Sequence, residues 1–220
     1  MYMIIVGAGS IGLSLIEIAT KEKNNVVVLE ANPERARDIS NKFDITVLNG
    51  NATLASTLRE AGSERADALI TTTSDDAVNL MVVSLAEQLK IPSIVSIVNS
   101  KDHAEFFNRL GANVMENPEE VVANHLYTAV KRPKVKDFTI LSHNDQIFRL
   151  VVKKESVLAG KSFAECMNRK IVPDSMNIIA VEREDKKEIV TSETIFAPND
   201  VLTIFTIERA GDELIEKLTG

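Results

Sequence analysis

The sequence has little of several residue types on which common functional sites depend. Cys166 is the only cysteine, so an intrachain disulfide and a cysteine-based metal cluster are excluded, and we expect a buried, inert thiol. Tryptophan is absent, aromatic residues make up 5%, and the net charge is −7, which argues against a nucleic-acid partner. No apolar run approaches the roughly 20 residues that span a bilayer. The apolar N-terminus also lacks the basic leader of a signal peptide. We therefore expect a soluble, cytoplasmic protein.

A glycine-rich segment near residue 1 is the most informative stretch of the chain. Residues 1–6 form an apolar run suited to a buried strand, and residues 13–19 have helical character. Between them lies Gly7-Ala8-Gly9-Ser10-Ile11-Gly12, so that strand, G-x-G-x-x-G and helix follow in the order of a dinucleotide-binding fingerprint. The glycines should permit, in order, a tight turn, the approach of backbone to a pyrophosphate, and close helix–strand packing. The N–H groups of the first helical turn would then bind the anion.

An acidic residue after the next apolar run strengthens this interpretation. Residues 26–29 are predicted to form a second buried strand, which ends in Glu30, 18 positions after Gly12. At about this spacing a carboxylate meets a ribose 2′-hydroxyl. An arginine at this position would indicate a 2′-phosphate, and none is present. The sequence therefore predicts an adenine-nucleotide site. The alternative is an ordinary strand–helix–strand unit whose strand-end acid is solvated.

Strand-like and helix-like segments alternate through the first 130 residues. Asn32, Thr53 and Ser74 are predicted N-cap residues of successive helices. Such alternation is typical of α/β proteins with a Rossmann-like, doubly wound parallel sheet. Because the crossovers are right-handed, the ligand crevice should lie at the C-terminal ends of the strands.

The pattern changes at residues 131–134, where proline and charge end a helix and period-two segments follow. We expect a hairpin around His143, a short helix over residues 162–169 and a final strand over residues 201–207. The chain is therefore predicted to consist of a nucleotide-binding domain, residues 1–132, and a small α+β domain, residues 133–220.

The sequence offers no recognisable catalytic set. A dehydrogenase needs a proton donor or acceptor beside the nicotinamide. His103, His125 and His143 have no metal-ligand spacing, so we expect ordinary surface or partly buried histidines. Asp75 and Asp76 follow the fourth strand, and contact with a ligand and complementarity to the helix dipole explain them equally well. We interpret the nucleotide as a signal rather than a reagent.

Taken together, these residues resemble the cytoplasmic regulatory subunits of Trk and Ktr potassium-uptake systems, which are built from an RCK (regulator of potassium conductance) domain. The resemblance covers nearly the whole chain and rests on several motifs in register. Besides the glycine segment and Glu30, these motifs are Leu48-Asn49-Gly50-Asn51-Ala52, Thr72-Thr73-Ser74-Asp75-Asp76-Ala77-Val78-Asn79-Leu80, Phe107-Asn108-Arg109-Leu110-Gly111-Ala112, Pro118-Glu119, Asn177-Ile178-Ile179-Ala180-Val181 and Pro198-Asn199-Asp200-Val201-Leu202.

The resemblance implies both a ligand and an assembly. The ligand would be NAD(H) or another adenine nucleotide, AMP, ADP or ATP, bound as a regulator and not as the cofactor of an enzyme. The chain would join other RCK subunits in a dimer-based, octameric ring beneath a membrane potassium transporter or channel subunit, at the inner face of the membrane. Helices carrying Phe106, Phe107, Val121, Val122 and Leu126 are candidates for subunit contacts. The implied cofactor-binding residues are Gly7, Ala8, Gly9, Ser10, Ile11, Gly12, Glu30, Asn51, Ala52, Thr72, Thr73, Ser74 and Asp75.

Three departures from the family pattern affect these expectations. Asn51 stands where the family usually has Asp, which removes a negative charge beside the base. Pro198-Asn199-Asp200 replaces Pro-Gly-Asp, and Asn still tolerates a left-handed turn. Many members have Arg at the position of Ser10 and another in the fifth strand, and here both are missing. We therefore expect ATP to bind no more tightly than AMP, ADP or NAD(H).

Two other functions remain open from the sequence. A small NAD-dependent dehydrogenase, such as one acting on a tetrapyrrole precursor, also combines a nucleotide-binding domain with a small second domain. A sensor of the redox ratio acting on another partner is the third possibility. An assay of NADH formation separates the first of these from a regulatory subunit.

Overall fold

The structure is a computed structural model that describes residues 1–141, 145–184 and 186–220. The chain divides into two compact units, Met1–Val121 and Val122–Gly220, each with its own hydrophobic core. The division falls within a helix that ends at Lys131, and the domain boundary expected at residue 132 stays a prediction. The hairpin turn expected at His143 lies outside the described residues.

The first unit contains a six-stranded parallel sheet in the order β3-β2-β1-β4-β5-β6. This order is the doubly wound arrangement that the alternating pattern predicts. The chain adds β2 and β3 on one side of β1 and then β4 to β6 on its other side, so the strand order reverses between β1 and β4. The strands are β1 (Tyr2–Val6), β2 (Asn25–Glu30), β3 (Thr46–Asn49), β4 (Ala68–Thr71), β5 (Ser93–Val98) and β6 (Asn113–Glu116). The helices are α1 (Ser10–Lys21), α2 (Pro33–Lys42), α3 (Ala55–Glu60), α4 (Asp76–Gln88) and α5 (Ala104–Arg109), and α6 (Pro118–Lys131) continues into the second unit.

Helices cover both faces of this sheet, so the central strands are buried on both sides. Ile4 packs in the core on one face, whereas Ile5 and Val28 pack on the other, and all three side chains are fully buried. Burial of each such side chain stabilises the fold by roughly 1.5–3 kcal/mol. This is why these strands are continuous apolar runs rather than alternating ones.

Of the three predicted N-cap residues, Asn32 is confirmed, whereas Thr53 and Ser74 are wrong. Asn32 is the N-cap of α2, and its side-chain oxygen accepts from the N–H groups of Glu34 and Arg35 at 3.0 Å each. The prediction of Thr53 as a cap is wrong, because α3 begins two residues later and the Thr53 hydroxyl bonds to the Asn51 side chain. Ser74 is also not a cap: the carboxylate of the adjacent Asp75 accepts the first N–H groups of α4. Neighbouring residues with similar capping ability compete for one position.

The second unit contains a five-stranded antiparallel sheet in the order β10-β9-β11-β8-β7. Its fully buried residues include Phe148, Phe196 and Cys166. The burial expected for Cys166 is confirmed, and burial raises the pKa of its thiol. The elements are β7 (Val135–Ile140), β8 (Gln146–Val151), α7 (Phe163–Asn168), β9 (Met176–Arg183), β10 (Lys186–Ile189), β11 (Val201–Thr206) and α8 (Asp212–Thr219).

Asn199 forms the left-handed turn that was expected where the family pattern has glycine. Its φ is +73°, a value that Asn adopts more readily than other side chains with a Cβ. The turn places Asp200 so that its carboxylate accepts the Ala197 N–H at 2.7 Å. The guanidinium of Arg183 donates to both oxygens of the same carboxylate, at 2.7 and 2.8 Å.

Candidate nucleotide-binding site

The glycine segment leads directly from β1 into α1. Gly7 has a φ of +88°, which turns the chain out of the strand, and Gly9 is the N-cap of α1. Gly9 offers no side-chain acceptor, so it does not cap the first N–H groups of α1 as the Asn32 side chain caps α2. Unpaired N–H groups at the positive end of a helix dipole form a site for an anion such as a phosphate.

Gly9 and Gly12 have different roles in this loop. A Cβ built on Gly12 would lie 2.2 Å from the carbonyl oxygen of Gly7 and 2.7 Å from Oγ1 of Thr72, so only glycine allows α1 to approach β1 and β4 this closely. A Cβ on Gly9 would meet no heavy atom of the described residues within 4 Å. Gly12 therefore serves packing, whereas Gly9 leaves open space above the loop.

Glu30 lies at the end of β2 with 5% of its surface exposed. Its carboxylate accepts the Ala8 N–H and the Asn32 N–H, one on each oxygen and both at 2.8 Å. The acid therefore joins the glycine loop to the start of α2. Each carboxylate oxygen can accept a further hydrogen bond, so contact with a ribose hydroxyl stays a prediction.

The end of β4 forms the opposite wall of the site through residues 72–75. The Thr72 hydroxyl donates to the carbonyl oxygen of Gly7 at 2.8 Å, which fixes this wall to the loop. The Thr73 hydroxyl bonds to Oδ1 of Asn79 at 2.7 Å, and Asn79 is fully buried. The carboxylate of Asp75 is used as the N-cap of α4, so its position at the rim has a structural cause.

Asp76 fixes α4 to the end of β5. Its carboxylate accepts the N–H groups of Asn99 and Ser100 at 2.8 and 3.0 Å, and it lies 2.8 Å from Nδ1 of His103. Partial burial alone would raise the pKa of Asp76, but the hydrogen bonds from Asn99, His103 and Ser100 together hold it below its usual value. Asp76 is therefore a structural anchor beside the site.

Near the adenine end expected from the sequence, Asn51 stabilises its own turn. Its side-chain oxygen accepts the Thr53 N–H at 2.9 Å and the Thr53 hydroxyl at 2.8 Å. These bonds occupy the oxygen of the amide and leave its NH₂ group available as a donor. A neutral amide therefore faces the site where the family pattern has a charged carboxylate.

These elements enclose a crevice of about 560 Å³, within the range of small-molecule sites. Twelve of the thirteen predicted site residues line it, and the exception is Gly12, which packs behind the loop. Sequence reasoning did not select Arg35, Asn99 and Glu119, which line it as well. Asn99 directly follows β5, and Glu119 of the Pro118-Glu119 motif follows β6 by three positions. A position just after a strand end could therefore have indicated both residues.

The charged residues that line the crevice are mostly acidic. Glu30, Asp75 and Glu119 contribute carboxylates, whereas Arg35 contributes the one cation among the lining residues of the described chain. A phosphate placed at the loop would therefore be held chiefly by backbone N–H groups and the dipole of α1. The expectation that a third phosphate gains little affinity here stays a prediction.

The part of the chain that the structure describes offers few residues for a metal site or for acid–base catalysis by histidine. No group of three or more His, Cys, Asp or Glu side chains there could hold a metal ion. Neither His103 nor His125 lines the crevice, and His143 lies outside the described residues. Across residues 1–141, 145–184 and 186–220, no helix combines the length and the apolar character that crossing a bilayer requires.

Comparison with known proteins gives two matching family models. One, described as the TrkA-N domain, matches residues 3–118, and the other, described as the TrkA-C domain, matches residues 147–219. The Trk system potassium uptake protein TrkA homolog of Methanothermobacter thermautotrophicus is 31% identical over 220 residues, covering 100% of both chains.

Solved structures share the fold. The GsuK channel bound to NAD matches with a TM-score of 0.64 at 22% identity, over 100% of this chain and 39% of that one. GsuK bound to ADP matches with a TM-score of 0.51 at 26% identity, over 60% of this chain and 34% of that one. The present chain therefore spans about two fifths of the channel chain at most.

Proposed function

This chain belongs to the TrkA family of Trk potassium-uptake proteins, and from that membership we propose that it is a regulatory subunit without enzyme activity. It binds an adenine nucleotide and thereby controls potassium transport through a membrane partner. The observation that carries the proposal is the crevice at the ends of β1, β2 and β4, which gathers the predicted nucleotide-binding residues around an open helix N-terminus.

The ligand is NAD(H) or an adenosine phosphate, AMP, ADP or ATP. Solved relatives of the fold are described as bound to NAD and to ADP. In this chain the loop N–H groups suit the phosphate nearest the ribose, and Glu30 lies where a ribose is expected. The acidic lining argues against strong selection for a third phosphate, because such charge is best neutralised by Arg or Lys.

A regulatory role is preferred over a dehydrogenase on the composition of the crevice. Hydride transfer needs a group that moves a proton near the nicotinamide. The polar side chains at the wall opposite the loop are already committed, since Asp75 caps α4 and Thr73 bonds to Asn79. Within the described residues, no histidine or cysteine lines the crevice.

Exposed apolar side chains support assembly with further copies of the chain. On α4 and α5, Met81 and Phe106 are about half exposed. Phe107, expected among the contact residues, is fully buried in the core of the first unit and is withdrawn from that role. On α6 five apolar or aromatic side chains are more than half exposed: Val121, Val122, Leu126, Tyr127 and Val130. We assign these surfaces to subunit contacts in a dimer-based, octameric ring at the inner face of the membrane.

Control of transport requires that the nucleotide bind one conformation of the assembly more tightly than another. A shift from 1:99 to 99:1 between two conformations needs roughly a 10⁴-fold difference in affinity. A ring that binds several nucleotides can accumulate that difference from modest contributions per site. In this view the ligand acts through its differential affinity and is released unchanged.

Native mass spectrometry of the purified chain tests the proposal, since it reports subunit number and bound nucleotide together. We expect an even-numbered oligomer that binds up to one NAD(H), ADP or AMP per chain. Potassium flux through the co-reconstituted membrane partner should then change with nucleotide. A chain that binds none of these ligands would contradict the proposal. So would NADH formation from NAD and a candidate substrate.

A further inference from the structure

A second cavity, of about 410 Å³, opens beside the crevice between α1 and α2. The two cavities share Ala8, Gly9 and Ser10 of the glycine loop and Arg35 of α2. Three of the shared residues belong to the loop itself, and the fourth lies five positions after the end of β2, where the ribose of an adenine nucleotide is expected. The second cavity therefore extends the site outward from the ribose.

Arg35 is placed by the start of α2. The Asn32 side chain caps this helix and accepts the Arg35 N–H at 3.0 Å, so the residue lies in the first helical turn. Within residues 1–141, 145–184 and 186–220, no carboxylate lies within 4.0 Å of its guanidinium nitrogens. An exposed guanidinium without an acidic partner, on the wall of a cavity, can bind an anion there.

The second cavity is also lined by one further cation and one acid. Lys42, farther along α2, has its ammonium 2.8 Å from the carboxylate of Glu17, so it is already paired. Asp38 contributes an acid to the same wall. Ser10 adds a hydroxyl at the start of α1. Arg35 is therefore the cation best placed for a phosphate near the loop.

Glu30 is the residue that would oppose a phosphate on the ribose. Here its two oxygens hold the N–H groups of Ala8 and Asn32, and the residue is 5% exposed. Two backbone dipoles thus act against its charge, one from the loop and one from the start of α2. Among the described residues, the lining of the second cavity includes Arg35 and Ser10 but not Glu30.

We propose that this second cavity binds a phosphate on the 2′-oxygen of the adenosine ribose. The ligand class is then 2′-phosphorylated adenine nucleotides, such as NADP(H), and Arg35 is the specificity-determining residue. The inference rests on the proposed function, because it extends the same nucleotide site. Sequence reasoning looked for an arginine at the end of β2 itself, whereas Arg35 reaches the site from five positions farther on.

Two ligands that differ in this one phosphate test the inference: AMP and adenosine 2′,5′-bisphosphate. Each is titrated by calorimetry, at fixed ionic strength, into the wild-type chain, Arg35→Gln and Arg37→Gln. Arg37 is the matched control, since it is an exposed arginine of the same helix that lines neither cavity. Fixed salt matters because exposed charge interactions are screened.

We expect the wild-type chain to bind the bisphosphate at least as tightly as AMP. Arg35→Gln should weaken the bisphosphate about tenfold, the loss of a charge-assisted contact of about 1.4 kcal/mol, and change AMP less than twofold. Arg37→Gln should change neither. If the wild type binds AMP but binds the bisphosphate more weakly than AMP, the inference alone is overturned. Equal weakening of both ligands by Arg35→Gln also overturns it. If neither ligand binds, the proposed function fails with it.

Discussion

The second unit pairs its buried charged side chains within the fold, whereas the first unit leaves the start of one helix facing a cavity. In the second unit, Asp200 is 2% exposed and is satisfied by Arg183 and the Ala197 N–H. Arg132 is 8% exposed and donates to Asp212 and to the Ala210 carbonyl. In the first unit, Gly9 offers no side chain to cap α1, and the start of this helix faces an open cavity. Polar groups that satisfy one another stabilise a fold, whereas polar groups left facing a cavity indicate a ligand.

The largest effect on nucleotide binding is expected from Gly9→Val. The open space at Gly9 and its extended backbone, with φ −68° and ψ −168°, allow a side chain without a clash in the folded chain. That side chain would occupy the place of a phosphate, so nucleotide binding should fall below detection. Calorimetric titration measures the affinity, and urea unfolding should show a loss of only about 0.5–1.5 kcal/mol, because valine is a poorer N-cap residue than glycine. Unchanged affinity would show that the loop does not hold the nucleotide.

Asp200→Ala should have the next largest effect, and only on stability. It removes the acceptor of Arg183 and of the Ala197 N–H, and loss of one partner of a buried pair costs roughly 3–5 kcal/mol. Arg183 is partly exposed and can be rehydrated, so we expect about 2–3 kcal/mol in urea unfolding. NAD affinity should not change. A loss of NAD affinity in the folded variant would mean that the two units are not separable in function.

Glu30→Ala tests the acid that joins the loop to α2. If the carboxylate also accepts ribose hydroxyls, removing it should cost roughly 1.5–3 kcal/mol of nucleotide affinity, the range for hydrogen bonds to a charged group. It should also shift the NAD/NADP affinity ratio toward NADP, because a negative charge leaves the ribose end. Calorimetry with both dinucleotides measures this, and Glu30→Gln is the control that keeps one oxygen acceptor. An unchanged NAD/NADP affinity ratio would mean that Glu30 contacts the Ala8 and Asn32 N–H groups but not the ribose.

A smaller difference in affinity is expected between ATP and ADP. Arg is missing at Ser10 and in β5, and among the described residues that line the crevice Arg35, at the ribose end, is the one cation available to a third phosphate. We expect AMP, ADP and NAD(H) to bind at least as tightly as ATP in titrations at one ionic strength. A preference for ATP above tenfold, about 1.4 kcal/mol, would require a cation from a neighbouring subunit, with Lys101 and Arg109 as candidates.

The smallest effect should be the pH dependence contributed by Asp76. Its pKa is lowered in the folded chain, so it stabilises the fold above the pKa of the unfolded state, and this contribution is lost as the pH falls through the folded-state value. Urea midpoints of the wild type and Asp76→Asn, measured from pH 6 down to pH 3, should therefore converge at the acidic end. A constant difference between the two midpoints would exclude this origin.

Much of the first unit could be predicted from the sequence, because apolar runs, helical periods and glycine spacing are local signals. The residue that caps α4 could not, since Ser74 and Asp75 are adjacent and either can cap. The backbone partners of Glu30 could not be predicted either, because they depend on how closely the glycine loop approaches the end of β2. Arg35 was missed for the same reason: in the sequence it is one charged residue in the first turn of a polar helix.

The order of the second sheet has a consequence for synthesis on the ribosome. Its central strand, β11, pairs with both β8 and β9 although it is the last of the five to be made. The parallel sheet of the first unit is complete in sequence at Glu116, 90 residues before β11 ends at Thr206. At about 5–20 residues per second, translation of that interval takes roughly 5 to 18 s. A nascent chain can therefore fold its nucleotide crevice and take up its ligand before the second sheet has the strand that completes it.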